Sequence, residues 1–124
     1  MSTQELKPGT SYPAVVGGIL VNLRNQQGVR QGDLAQVVGV TQATWSRIEN
    51  GSSALTIEQL GLAAARLGIL PGQVMELADQ AVGQLRQRGV HVEPTRSAAN
   101  IDSGTALIGA AALGALIAAV FLKK

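Results

Sequence analysis

Four glycines divide the first 70 or so residues of this chain. Gly28, Gly39, Gly51 and Gly68 each stand just past a stretch whose apolar residues recur at helical spacing. Glycine breaks a helix at each, and Gly39 stands at a C-cap position that favours positive φ. Before Gly28, the spacing of Val15, Val16, Ile19, Leu20 and Leu23 predicts a helix over 14–26. A short second helix, 31–38, turns Leu34, Ala35 and Val38 inward. Thr41 is a suitable N-cap for a third helix that ends at Asn50, with Trp45 and Ile48 on one face. Thr56 and Gln59 have capping-box spacing and open a fourth helix over 57–67. Pro71 stands early in a fifth, which runs to Arg88. Its stripe of Val74, Leu77, Ala78, Ala81, Val82 and Leu85 is long for the terminal helix of a small domain. The fold class these patterns predict is all-α, with five helices. No strand is required, save a short extended stretch at 89–92.

The rest of the chain divides by composition. Residues 1–13 are a polar arm with Pro8, Gly9 and Pro13, unlike a secretory signal. Residues 14–88 are the helical domain. Residues 89–103 hold no sustained period and contain Pro94, and so read as a linker. Residues 104–124 read as a hydrophobic C-terminal helix. There is no cysteine, which excludes disulfides, iron–sulfur clusters and thiolate zinc sites. His91 is the single histidine, so a histidine-built metal site is excluded, and it reads as an incidental surface residue. Clustered carboxylates, a Ser/His pair and a phosphate-binding loop are all missing, so no enzyme, cofactor or metal is expected. Three aromatic residues are too few for a platform that stacks single-stranded nucleic acid.

The second and third helices, joined through Gly39, have helix-turn-helix spacing. The stretch QGDLAQVVGVTQATWSRIENG, residues 31–51, carries more detail. With Leu23–Arg24 before it and AARLGI at 64–69 after it, it resembles the Cro/C1-type (XRE-like) helix-turn-helix DNA-binding family of bacterial and phage repressors. The resemblance extends from Val15 through Leu77. It implies a five-helix, lambda-repressor-like domain that binds double-stranded DNA and has no catalytic activity.

Residue roles follow from that resemblance. Gln42, Ala43, Ser46 and Arg47 match the face that the family's recognition helix presents to base edges in the major groove. Gln is suited to an adenine edge, Arg to a guanine edge, and Ala43 to a thymine methyl. Gln31, Arg30, Thr41 and Asn50 resemble positions that contact phosphate, which set register. Arg24 and Glu49 match an ion pair that links the first helix to the end of the third. Arg30 departs from the pattern, because it stands where a Ser, Thr or Asn cap is common and arginine has no acceptor. Charge is the weak point. Residues 14–69 hold four arginines and three acids, a net +1, so a monomer is expected to bind DNA weakly. A homodimer on two half-sites, joined through the fifth helix or the tail, would compensate.

Residues 105–122 form an 18-residue run without charge, followed by Lys123 and Lys124. As one helix the run would span about 27 Å, close to the hydrocarbon thickness of a bilayer. Ala106, Ala110, Gly114 and Ala118 fall four apart, a spacing that lets membrane helices approach closely. The expectation is attachment to the bacterial inner membrane, with the DNA-binding domain in the cytoplasm. The terminal lysines oppose that orientation, while Arg86, Arg88 and Arg96 partly offset them. A tail packed in an oligomer core is the rival reading. Two functions follow: a membrane-attached, dimeric transcriptional regulator, or a membrane-anchored scaffold whose helical domain binds a protein.

Overall fold

A computed structural model describes residues 7–95 and 105–122. β1 (Lys7–Ser11) leads into α1 (Tyr12–Gln26), followed by α2 (Gln31–Val38), α3 (Gln42–Glu49), α4 (Ile57–Arg66) and α5 (Pro71–Gln87). β2 (His91–Glu93), β3 (Thr105–Leu107) and α6 (Ala110–Leu122) come last. Local chemistry sets the helix limits. Ser11 Oγ accepts from the Ala14 N–H, and Thr41 Oγ1 accepts from the Thr44 N–H. Thr56 and Gln59 exchange side chain-to-backbone bonds in both directions. Each bond satisfies a backbone donor that a helix start leaves open. Gly39 closes α2 at φ 86°, and this left-handed residue turns the chain sharply into α3.

α1 is the central helix. It packs against α3, α5 and α6, and Val15, Ile19 and Leu20 are wholly buried. Two adjacent glycines permit that crowding. A Cβ on Gly17 would collide with the backbone carbonyls of Ile48 and Glu49, so glycine lets α1 meet the end of α3. A Cβ on Gly18 would run into the side chain of Ile117 on α6.

The all-α expectation is corrected by a small sheet. β1 lies in the middle, and both neighbours run parallel to it, in the order β2-β1-β3. Gly9 is opposite His91 on one side and Leu107 on the other. Residues 7–11 of the arm and 91–93 of the presumed linker are therefore paired strands. β2 and β3 have three residues each, too short to display a period of two, and the five of β1, KPGTS, include Pro8 and Gly9 and no alternating apolar residues. The extended stretch expected at 89–92 overlaps β2, but the partners are distant in sequence, so no local pattern announces the pairing.

The C-terminal run is divided as well. Residues 105–107 pair with β1, and the helix begins only at Ala110. Its 13 residues reach about 20 Å, short of a hydrocarbon core of about 30 Å. Among the described residues no helix is long and apolar enough to cross a membrane. The small-residue ladder is split likewise, since Ala106 lies in β3 and Gly114 and Ala118 lie in α6. α6 packs on α1 and α5, with Leu113 and Ile117 buried.

The stripe on α5 was expected to join two chains, and it is covered within one. Val74, Ala78, Ala81, Val82 and Leu85 are buried, and α5 packs on α1, α6, α4 and β2. Its length is explained by that number of neighbours. Leu77 is half-buried.

Candidate nucleic-acid interface

The outward face of α3 is set by what holds its inner face. Trp45 and Ile48 are buried in the core, and Glu49 is 6% exposed. Four donors converge on the Glu49 carboxylate. Arg24 Nε donates to Oε2 at 2.8 Å and Arg24 Nη2 to Oε1 at 3.1 Å. Trp45 Nε1 donates to Oε2 at 2.8 Å, and Gln31 Nε2 to Oε1 at 2.8 Å. Arg24 Nη1 also donates to the Val29 carbonyl at 3.1 Å. One buried carboxylate thus ties α1, the start of α2 and the end of α3 into a single unit. A buried charge is tolerable only when paired and hydrogen-bonded in this way.

With its inner side locked, α3 turns Gln42, Ala43 and Arg47 to solvent, and Ser46 is half-buried at the edge. Arg47 Nη2 lies 3.4 Å from Thr44 Oγ1, a loose contact that leaves the guanidinium available. Gln42 Nε2 lies 3.4 Å from Gln31 Oε1. Gln31 therefore stands between the exposed Gln42 and the buried Glu49. Sequence reasoning assigned Gln31 to phosphate alone and missed this bridge, because the three residues meet only through tertiary packing.

The other candidate residues surround that face. Thr41 is exposed, and its hydroxyl serves as the α3 cap, accepting from the Thr44 N–H at 3.1 Å. Asn50 is exposed, and its Oδ1 accepts from the Ser52 N–H at 3.0 Å and the Ser52 hydroxyl at 2.7 Å. Arg30 extends its side chain into solvent, 86% exposed. No side chain caps the start of α2; the Asp33 N–H donates to the Arg30 carbonyl at 3.0 Å, and the Asp33 carboxylate accepts the Arg30 N–H at 3.2 Å. That bond and the nearby Arg30 charge hold the Asp33 carboxyl below its ordinary value.

His91 lies outside this surface, on β2, with Nε2 2.7 Å from Glu93 Oε2. Among the described residues no group of His, Cys, Asp and Glu is arranged to hold a metal ion. A cavity of about 360 Å³ opens beside the reading face, between α1, α3 and α6. Its lining includes Gln31, Ser46 and Asn50 together with Ile108, Ala111 and Gly114 of the tail. The tail is therefore a neighbour of the helix-turn-helix.

Residues 16–78, half of the chain, match the helix-turn-helix domain family. Among solved structures, the clp gene regulator ClgR from Corynebacterium glutamicum has a similar fold. The TM-score is 0.60 over 62% of this chain and 82% of that one, at 22% identity. No curated protein sequence matches.

Proposed function

Because the chain belongs to the helix-turn-helix domain family, we propose that it is a sequence-specific DNA-binding transcriptional regulator that lays α3 in the major groove. The family is one of regulators and not of enzymes. One observation carries the reading. Gln42, Ala43 and Arg47 share the exposed side of a helix whose opposite side is locked to the core through Glu49 and Trp45. A groove reader needs that combination, since side chains discriminate base edges only when the helix beneath them is rigid. In this reading Gln42 and Arg47 bond base edges, Ala43 touches a thymine methyl, and Ser46 supports them at the rim. Gln31, Arg30, Thr41 and Asn50 meet the phosphates that flank the groove.

The finer parts of the proposal rest on charge and composition. A net +1 over residues 14–69 neutralises few phosphates, which favours a homodimer on two half-sites. The uncharged run 105–122 favours attachment to a lipid bilayer. As packed, α6 is part of the domain and does not span, so attachment requires the tail to leave α1.

The test is capture of duplexes from a random pool by the full chain and by a Gln42→Ala/Arg47→Ala variant, both checked for native helix content. Enrichment of one short motif by the wild type, lost in the variant, is the expected result. Equal enrichment by both would remove α3 from the reading role. If neither chain enriches a motif, DNA reading fails, and a scaffold that binds protein takes its place.

A further inference from the structure

Two observations concern the flank of the reading face. The first is how α6 is held. Among its described side chains Leu113 and Ile117 are buried, and Gly18 gives Ile117 its place on α1. Its other side faces outward, with Ala111, Ala112 and Ala115 exposed. No residue from 105 to 122 carries a charge, so the helix is apolar all round, and among its described side chains these three alanines lie uncovered. The second is where it lies. Ile108, Ala111 and Gly114 line the same cavity as Gln31, Ser46 and Asn50. An uncharged apolar segment thus stands beside the start of α2 and the end of α3. Phosphates give up water and counterions only to donors and cations, and these tail residues offer no side-chain group of either kind.

We propose that the packed tail and DNA compete for this flank, and that a lipid bilayer is the partner that takes the tail away. The inference rests on the DNA reading and the bilayer attachment proposed above, and couples them. The two positions of the tail exclude each other. A span of 18 residues needs residues 105–107 in the helix, whereas the packed form uses them as β3 against β1. Insertion therefore breaks the β1–β3 pairing and empties the groove at Gly18. A ligand shifts an equilibrium only by preferring one state. Bilayer and DNA both prefer the state with the tail released, so each strengthens the binding of the other.

The experiment uses the full chain, a duplex selected from the random pool, and phosphatidylcholine vesicles, whose net neutrality keeps them from competing with DNA for arginines. Anisotropy reads DNA affinity and co-sedimentation reads vesicle binding. Gly18→Leu fills the place of Ile117 while leaving the tail sequence intact. Ile117→Asp releases the tail and also denies it the bilayer. Vesicles should tighten DNA binding of the wild type about tenfold, a usual size for coupling between sites. Gly18→Leu should reach that affinity without lipid and should sediment with vesicles more fully than the wild type. Ile117→Asp should bind DNA tightly without lipid and should not sediment. Folded variants that bind DNA no better than the wild type would overturn the competition. A Gly18→Leu chain that stays in the supernatant would overturn the lipid partner. Failure of every chain to capture any duplex overturns the DNA reading and this coupling with it, whereas equal capture by all overturns the coupling alone.

Discussion

Glu49→Gln is the substitution that most directly tests how the reading helix is held. The carboxylate accepts four hydrogen bonds through two oxygens, from Arg24 twice, Trp45 and Gln31. The amide has one oxygen, and its NH₂ group meets donors on the other side. Two donors lose their acceptor, and the Arg24 guanidinium loses its counter-charge. Removing one partner of a buried ion pair costs about 3–5 kcal/mol. The Arg24 side chain is 13% exposed and keeps the Val29 carbonyl, so some of its charge remains solvated. The loss should therefore be about 2–4 kcal/mol. In a domain of this size that lowers Tm by roughly 10–20 °C. Urea melts followed by circular dichroism and by Trp45 fluorescence would measure it, since Trp45 is the single tryptophan and bonds Glu49 itself. An Arg24→Met variant and the double variant complete a cycle, in which the double variant should lose at least about 1 kcal/mol less than the sum. A Glu49→Gln loss below about 1 kcal/mol, or additive single losses, would refute the view of Glu49 as a buried hub.

Further predictions concern glycines, caps and pH. Gly17→Ala should destabilise by about 2–3 kcal/mol in urea melts despite better helix propensity, because its Cβ meets the Glu49 backbone. Gly83→Ala, exposed on α5 with open space around the new methyl, should instead stabilise by roughly 0.5–1 kcal/mol. Thr56→Ala removes the α4 cap and should cost about 1 kcal/mol, measured in the same melts. The Tyr12 hydroxyl donates to Asp79 at 2.6 Å, and partial burial with that carboxylate beside it pushes its pKa up from 10.0 to about 12. The unfolded chain ionises first, so stability should be unaffected below pH 10 and fall from there to about pH 12. Tyr12→Phe should flatten that part of a pH–stability profile.

The helical part of the fold is legible because its causes are local. Thr41, Thr56 and Gly39 cap their helices through neighbours three or four residues away, and α2 runs from Gln31 to Val38 as the pattern predicts. Of the sheet only the extended stretch at 89–92 is legible; its pairing is not, because Gly9 pairs with His91 and Leu107, which nothing local connects. The packed position of the tail is not legible for a different reason. An uncharged apolar run looks alike whether a bilayer or a groove on α1 covers it, and only Gly18 hints at the second. Adjacent glycines inside a helix, as at 17–18, signal close approach of other chain segments, and here they mark contact with α3 and α6. At the site, the face of Gln42, Ala43 and Arg47 follows from the periodicity that buries Trp45 and Ile48. The bond from Gln31 to Glu49 does not, because it depends on how α2 and α3 cross. Asp33 in the first turn of α2 accepts the Arg30 N–H and places a negative charge at the helix start, a feature visible in the sequence as an acid three residues after the cap position.

The central claim is that α3 reads base edges, and the most direct measurement is affinity across all four bases at each position of the selected duplex. For the wild type, one position should discriminate by about 1–3 kcal/mol through Gln42 and another through Arg47. Gln42→Ala should erase the preference at its own position and leave the others, while Asn50→Ala should weaken every duplex by a similar factor. A Gln42→Ala chain that keeps every base preference of the wild type would contradict the account.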